Sequence, residues 1–114
     1  MAKIDKTLNQ LTLDALRAIR SKLYAIPESE LNGMGLEDQI KYGDSIHQVG
    51  QSILKLEAAK LKEVNDKFKK KEKELETAAA SLEQDVTALT KAVEVIRVVS
   101  SGISLIKNIV KLLG

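Results

Sequence analysis

Cysteine is absent from the sequence, and aromatic residues make up only 3% of it. Without cysteine there is no disulfide, no thiolate metal site and no cysteine nucleophile. The chain holds one proline and one histidine. Helix breakers are therefore scarce, and one imidazole is too few for an ordinary metal centre. An excess of one charge is missing too, since 18 Lys and Arg stand against 16 Asp and Glu, a formal net charge of +2. That near balance argues against a dedicated nucleic-acid binder.

Long hydrophobic runs are missing as well. In the C-terminal part the longest uncharged stretch, Val98 to Ile106, has nine residues. A membrane-spanning helix needs about 20 mostly apolar ones. "MAKIDKTLNQ" lacks an apolar segment after its charges, so it does not read as a cleavable signal peptide. The expected compartment is the cytoplasm, or the exterior by a leaderless route.

The residues that are present favour helices. Hydrophobic residues are 44% and charged residues 30% of 114, with Ala, Leu, Ile, Val, Lys and Glu prominent. The expectation is a single all-α domain over residues 1–114. A small chain buries limited surface, and an elongated one buries less. A rod of this size would call for a partner or a second copy.

Residues 4–25 read as an N-terminal amphipathic helix. Ile4, Leu8, Leu11, Ala15, Ile19 and Leu23 recur at spacings of three and four. Ile26-Pro27 ends it, because the residue before proline is pushed out of helical geometry. "PESELNGMGLED" carries the only proline and two close glycines, so residues 26–36 read as a loop, with a short turn from Glu28 to Leu31. The next helix starts either before "LEDQI" or at Ser45, and Gly43 and Gly50 weaken it by about 1 kcal/mol each relative to Ala.

Residues 37–113 read as one long helical region. Between Gln51 and Ser101 there is neither glycine nor proline. Through it runs a column of large apolar residues seven apart: Leu54, Leu61, Phe68, Leu75, Leu82, Leu89, Ile96, Ile103 and Val110. A heptad column sustained this long is the signature of a coiled coil. The expected architecture is an elongated helical bundle around this coiled-coil-like helix. Breaks near 77–81 or 100–102 are the alternatives to continuity. Ser81 with Gln84 has capping-box spacing, and Ser100, Ser101 and Gly102 interrupt the apolar C-terminal segment 92–113.

Candidates for chemistry are few. Asp44, Ser45 and His47 sit too close together on one helical turn to converge as a catalytic set. "GMGLED" lacks the third glycine and the preceding strand of a nucleotide-binding loop. No cofactor or metal is expected, and no enzyme. Lys62, Lys67, Lys69, Lys70, Lys71 and Lys73 are interleaved with Glu63, Asp66, Glu72, Glu74 and Glu76. Asp66 with Lys70 and Lys70 with Glu74 fall at helical spacing, each worth about 0.2–0.5 kcal/mol. This run reads as a solvated helix face.

These observations lead to a non-enzymatic helical interaction or assembly protein, of adaptor, chaperone-like, secretion or phage-accessory type. Its interface would be the nine-member heptad column, and its partner a second copy or another helical protein. The alternative is a membrane-active helical protein. There, Ile103, Ile106, Lys107, Val110, Lys111 and Leu113 would lie on a membrane surface, apolar face down with lysines at the rim.

Overall fold

Four long helices, each with a wide apolar stripe, have to cover one another's apolar faces, and the arrangement found is a bundle. A computed structural model describes the backbone of residues 2–59 and 66–113, and side chains within that set from Gln10 onward. In chain order the elements are α1 (Ala2–Tyr24), the short α2 (Glu28–Asn32), α3 (Leu36–Ala59), α4 (Asp66–Thr87) and α5 (Ala92–Val110), closed by a 3-10 turn at Lys111–Leu113.

α1 packs on α3 and α4, and α5 packs on the same two. The helices therefore stand at four corners in the ring order α1, α3, α5, α4. The end of α1 and the start of α5 share a groove lined by Lys22, Ala25, Pro27, Thr90 and Val95. Asp38 near the start of α3 pairs with Arg97 near the start of α5. So α1 and α4 run toward this end of the bundle, and α3 and α5 run away from it.

The bundle measures 48 × 24 × 19 Å, with a Cα radius of gyration of 14.5 Å. A continuous helix over 37–113 would be about 115 Å long at 1.5 Å per residue. The long helical region is thus folded back on itself, and the rod expectation is corrected. The turn that divides α4 from α5 lies at Ala88–Lys91, not at 77–81 or 100–102, which are helical throughout. Locally, the Thr87 hydroxyl donates to the Glu83 carbonyl at 2.8 Å, a back-bond that competes with regular helix continuation. The Leu89 amide then closes a tighter bond to the Val86 carbonyl at 3.1 Å. The four-residue connection sets α4 and α5 antiparallel side by side.

At the other breaks, α1 stops at Tyr24 and Pro27 precedes the first residue of α2, with φ of −65°. A ring-fixed φ suits that position. Of the two candidate starts for the next helix, the earlier one is used. The Gln39 amide reaches the Gly35 carbonyl at 3.1 Å, and Glu37 and Asp38 sit in the first turn, where the dipole favours acids.

The core is contributed by all four long helices. Leu13, Leu16, Ile19 and Leu23 come from α1, Val49, Ile53 and Leu56 from α3, and Phe68, Leu75, Ala79, Leu82 and Val86 from α4. α5 adds Val95, Ile96, Val99, Ile103, Ile106, Ile109 and Val110. On α1 the expected Ala15, Ile19 and Leu23 are buried, Leu13 and Leu16 widen the stripe, and Leu11 is half exposed. α1 faces two neighbours, so its buried face is widened by Leu13 and Leu16, with Leu11 left at the rim. Gly102 allows α4 and α5 to close up. A Cβ there would meet the Leu82 Cδ1 at 2.7 Å.

Two stability outcomes follow from this core. Phe68 is fully buried, and Phe68→Ala should cost about 3–5 kcal/mol in urea unfolding. Gly102→Ala should destabilise the wild-type chain, because about 1–3 kcal/mol of overpacking outweighs about 1 kcal/mol of helix propensity. In a Leu82→Ala background the same change should be neutral or favourable. Additive effects in that double-mutant cycle would refute the close packing of α4 on α5.

Candidate functional site

The heptad column changes role once the helices are folded back. Phe68, Leu75 and Leu82 on α4 and Ile96, Ile103 and Val110 on α5 are buried in the chain's own core. Leu89, in the connection, packs partly buried against it. Leu61 lies outside the described residues. Leu54 alone among the described members faces outward, 66% exposed on α3.

The expected membrane residues divide in the same way. Ile103, Ile106 and Val110 are buried and Leu113 is partly buried, while Lys107 and Lys111 are exposed. Their apolar face is turned to the bundle interior. Within the lysine run, Lys67, Lys69, Lys70, Lys71 and Lys73 are exposed on α4, and Lys71 pairs with Glu74 at 3.3 Å. Lys62 lies outside the described residues. Asp44, Ser45 and His47 diverge, since Ser45 is buried against the core and Asp44 and His47 are exposed. Among the described residues, no group of three His, Cys, Asp or Glu side chains is placed to hold a metal ion.

The outer face of α3 is different in kind. Leu36 is 72% exposed and Ile40 55%, on the same face as Leu54. The positions between them complete a regular line of Leu36, Ile40, Gly43, His47, Gly50 and Leu54, with steps of four, three, four, three and four. These are the a and d positions of a heptad repeat. At 1.5 Å per residue the line is about 27 Å long. Among the described residues, a Cβ built on Gly43 or Gly50 would meet nothing within 4 Å beyond the helix's own backbone. The line is therefore a shallow track, with bulky apolar side chains at its two ends and bare backbone beside His47.

α3 is fixed so that this face points out. Its inner face places Ser45, Val49, Ser52 and Leu56 in the bundle. On the α1 side Arg17 Nη2 donates to Glu57 Oε2 at 2.6 Å. On the α5 side Arg97 makes a two-pronged contact, Nε to Asp38 Oδ1 at 3.1 Å and Nη2 to Asp38 Oδ2 at 3.0 Å. At the start of the helix, Gln39 Nε2 donates to the Leu31 and Met34 carbonyls, both at 3.0 Å. That bond pair ties α3 to the segment that carries α2. The hydrogen bond from Arg97 is the main reason the Asp38 carboxyl is held below the ordinary carboxylate value. Tyr42, on the α1 side of α3, has its phenol pushed up, first by burial and then by the nearby Tyr24.

The sequence did contain a signal for this track. The seven-residue column that starts at Leu54 continues backward through His47 to Ile40, and Leu36, Gly43 and Gly50 form the companion column. Two glycines in the companion column disguise it as a weak stretch of helix. No known protein family matches the chain, nor does any curated protein or solved structure.

The Asp38–Arg97 contact gives a pH-dependent outcome. The folded-state value of Asp38 is depressed below the unfolded one of about 3.9. Its contribution is therefore present above that value and is lost as pH falls through the folded value. Asp38→Asn should lower the thermal midpoint slightly at neutral pH, because Arg97 is largely exposed and solvent screens the pair. The gap between wild type and variant should close in strong acid. An equal gap at both pH values would show that the carboxylate charge is not what Arg97 responds to.

Proposed function

We propose that the protein is a non-enzymatic helical interaction module that binds a partner helix through the outer face of α3. One observation carries this reading. Leu36, Ile40 and Leu54 are left exposed at heptad spacing on a helix whose other face is already committed to the core. Exposed apolar residues scattered singly need no explanation, but a row in register is a recognition surface. What fits a row of this kind is another helix, read as anchors at spacings of three and four.

The track also suits a helix through its shape. Glycine at Gly43 and Gly50 lets a partner backbone come close, and Leu36 and Leu54 grip it at either end. The charges beside the line, Glu37, Asp44 and Lys55, would set orientation more than affinity. A membrane surface is a poorer fit, because Ile103, Ile106 and Val110 are spent on the core and the outer face of α3 carries two acids within its first turns. No helix among the described residues is long and apolar enough to cross a membrane.

A photo-crosslinking amino acid placed at Ile40 or Leu54 tests the reading in the cell of origin. The expected result is a discrete crosslinked species from both seam positions and none from Lys69, which is also exposed, on α4. Ile40→Glu should remove the Leu54 crosslink with less than about 0.5 kcal/mol change in stability, since the position is on the surface. Crosslinking that does not distinguish the seam from Lys69 would sink the proposal.

A further inference from the structure

The identity of the facing helix can be read from the order of large and small residues along the track. We infer that it is α3 of a second copy of this chain, running antiparallel about a twofold axis that crosses the track between Gly43 and His47, at the level of residue 45. This rests on the helical-interaction reading above and names its partner.

In an antiparallel helix pair each a-type position meets a d-type position of the other strand. With the axis at the level of residue 45, Leu36 of one copy lies opposite Leu54 of the other, Ile40 opposite Gly50, and Gly43 opposite His47. The same pairs recur on the far side of the axis, as a twofold contact requires. Every bulky side chain in the middle of the track meets a position with no side chain, and the two leucines close each end as an apolar layer. His47 of one copy comes beside Asp44 of the other, which places an imidazole next to each of the two carboxylates nearest the axis.

A parallel pairing in register does the opposite. It sets Gly43 on Gly43 and Gly50 on Gly50, which leaves voids, and it stacks His47 on His47. Voids in a packed seam are costly. The size pattern therefore selects the antiparallel arrangement without reference to affinity.

The glycines supply an independent argument. Each costs about 1 kcal/mol relative to Ala inside a helix. At Gly102 the fold itself explains the residue, because Leu82 fills the place of a Cβ. At Gly43 and Gly50, apart from the helix's own adjoining backbone, nothing among the described residues comes within 4 Å of that place. Among the described residues, no contact offsets that cost inside the monomer. It is offset when Ile40 and His47 of a second copy fill the space above the two glycines.

The test uses the full chain. In light scattering across a concentration series, the wild type should approach twice the 12.5 kDa chain mass. Gly43→Leu combined with Gly50→Leu fills both spaces, and should weaken the association at least tenfold. Helix content should be unchanged, since both positions are open in the monomer and Leu is the better helix former. Orientation is read by disulfide formation, because the native chain has no cysteine to interfere. Differently tagged Leu36→Cys and Leu54→Cys chains, mixed and oxidised, should give mainly the mixed dimer.

Preferential 36–36 and 54–54 disulfides would overturn the antiparallel arrangement. A wild type that stays monomeric while its seam crosslinks to another protein in cells would overturn the self-pairing and leave the helical-interaction proposal standing. A dimer indifferent to both the glycine substitutions and Ile40→Glu would overturn both.

Discussion

Helix α5 places Val95, Ile96, Val99, Ile103, Ile106, Ile109 and Val110 in the core, an apolar surface too wide for one neighbouring helix to cover. The rest of the chain is arranged around that surface. α4 returns along one side through the Ala88–Lys91 connection, α3 lies along the other, and α1 closes the remaining corner between them. A rod would have left much of α5 in water. Folding the long helical region back gives up a few helical hydrogen bonds at the turn and covers several large aliphatic side chains, each worth about 1.5–3 kcal/mol on full burial.

This arrangement decides what α3 can do. As a corner helix it has one face inside, carried by Ser45, Val49, Ser52 and Leu56, and one face outside. Three polar contacts from three directions hold its rotation, namely Arg17 with Glu57, Arg97 with Asp38, and Gln39 with the carbonyls before the helix. Each is modest alone, because partly exposed ion pairs are screened. Together they fix which residues face outward, and so turn a row in the sequence into a surface.

The proposed function draws on that surface and not on the column that dominates the sequence. Phe68, Leu75, Leu82, Ile96, Ile103 and Val110 are the more conspicuous heptad, yet they hold the monomer together. Leu36, Ile40 and Leu54 are the less conspicuous one, interrupted by Gly43, His47 and Gly50. An uninterrupted apolar seam finds a partner within its own chain if a turn allows it. In the proposed pairing, glycines lie opposite bulky residues, an arrangement that would favour a helix with matching bumps over others.

The amphipathic α1, the stop at Pro27 and the unbroken helix through "KFKKKEKELETAAASLEQDV" all follow from local chemistry. Spacing fixes which side chains share a face, proline bars helical geometry before it, and the alanines carry the helix on. The mixed charges of the lysine run read as solvated for the same local reason. The turn at 88–91 does not follow, because "VTALTK" has neither glycine nor proline, and its cause is the burial of α5 by distant residues. Nor does the exposure of Leu11 and Leu54. Periodicity tells which residues lie together on a helix, but not whether that side meets another helix or water. The sequence by itself determined that the chain is helical and where its apolar stripes run. Only the tertiary structure decided which stripe became the core and which remained a surface, because that choice is made by the neighbours each helix finds.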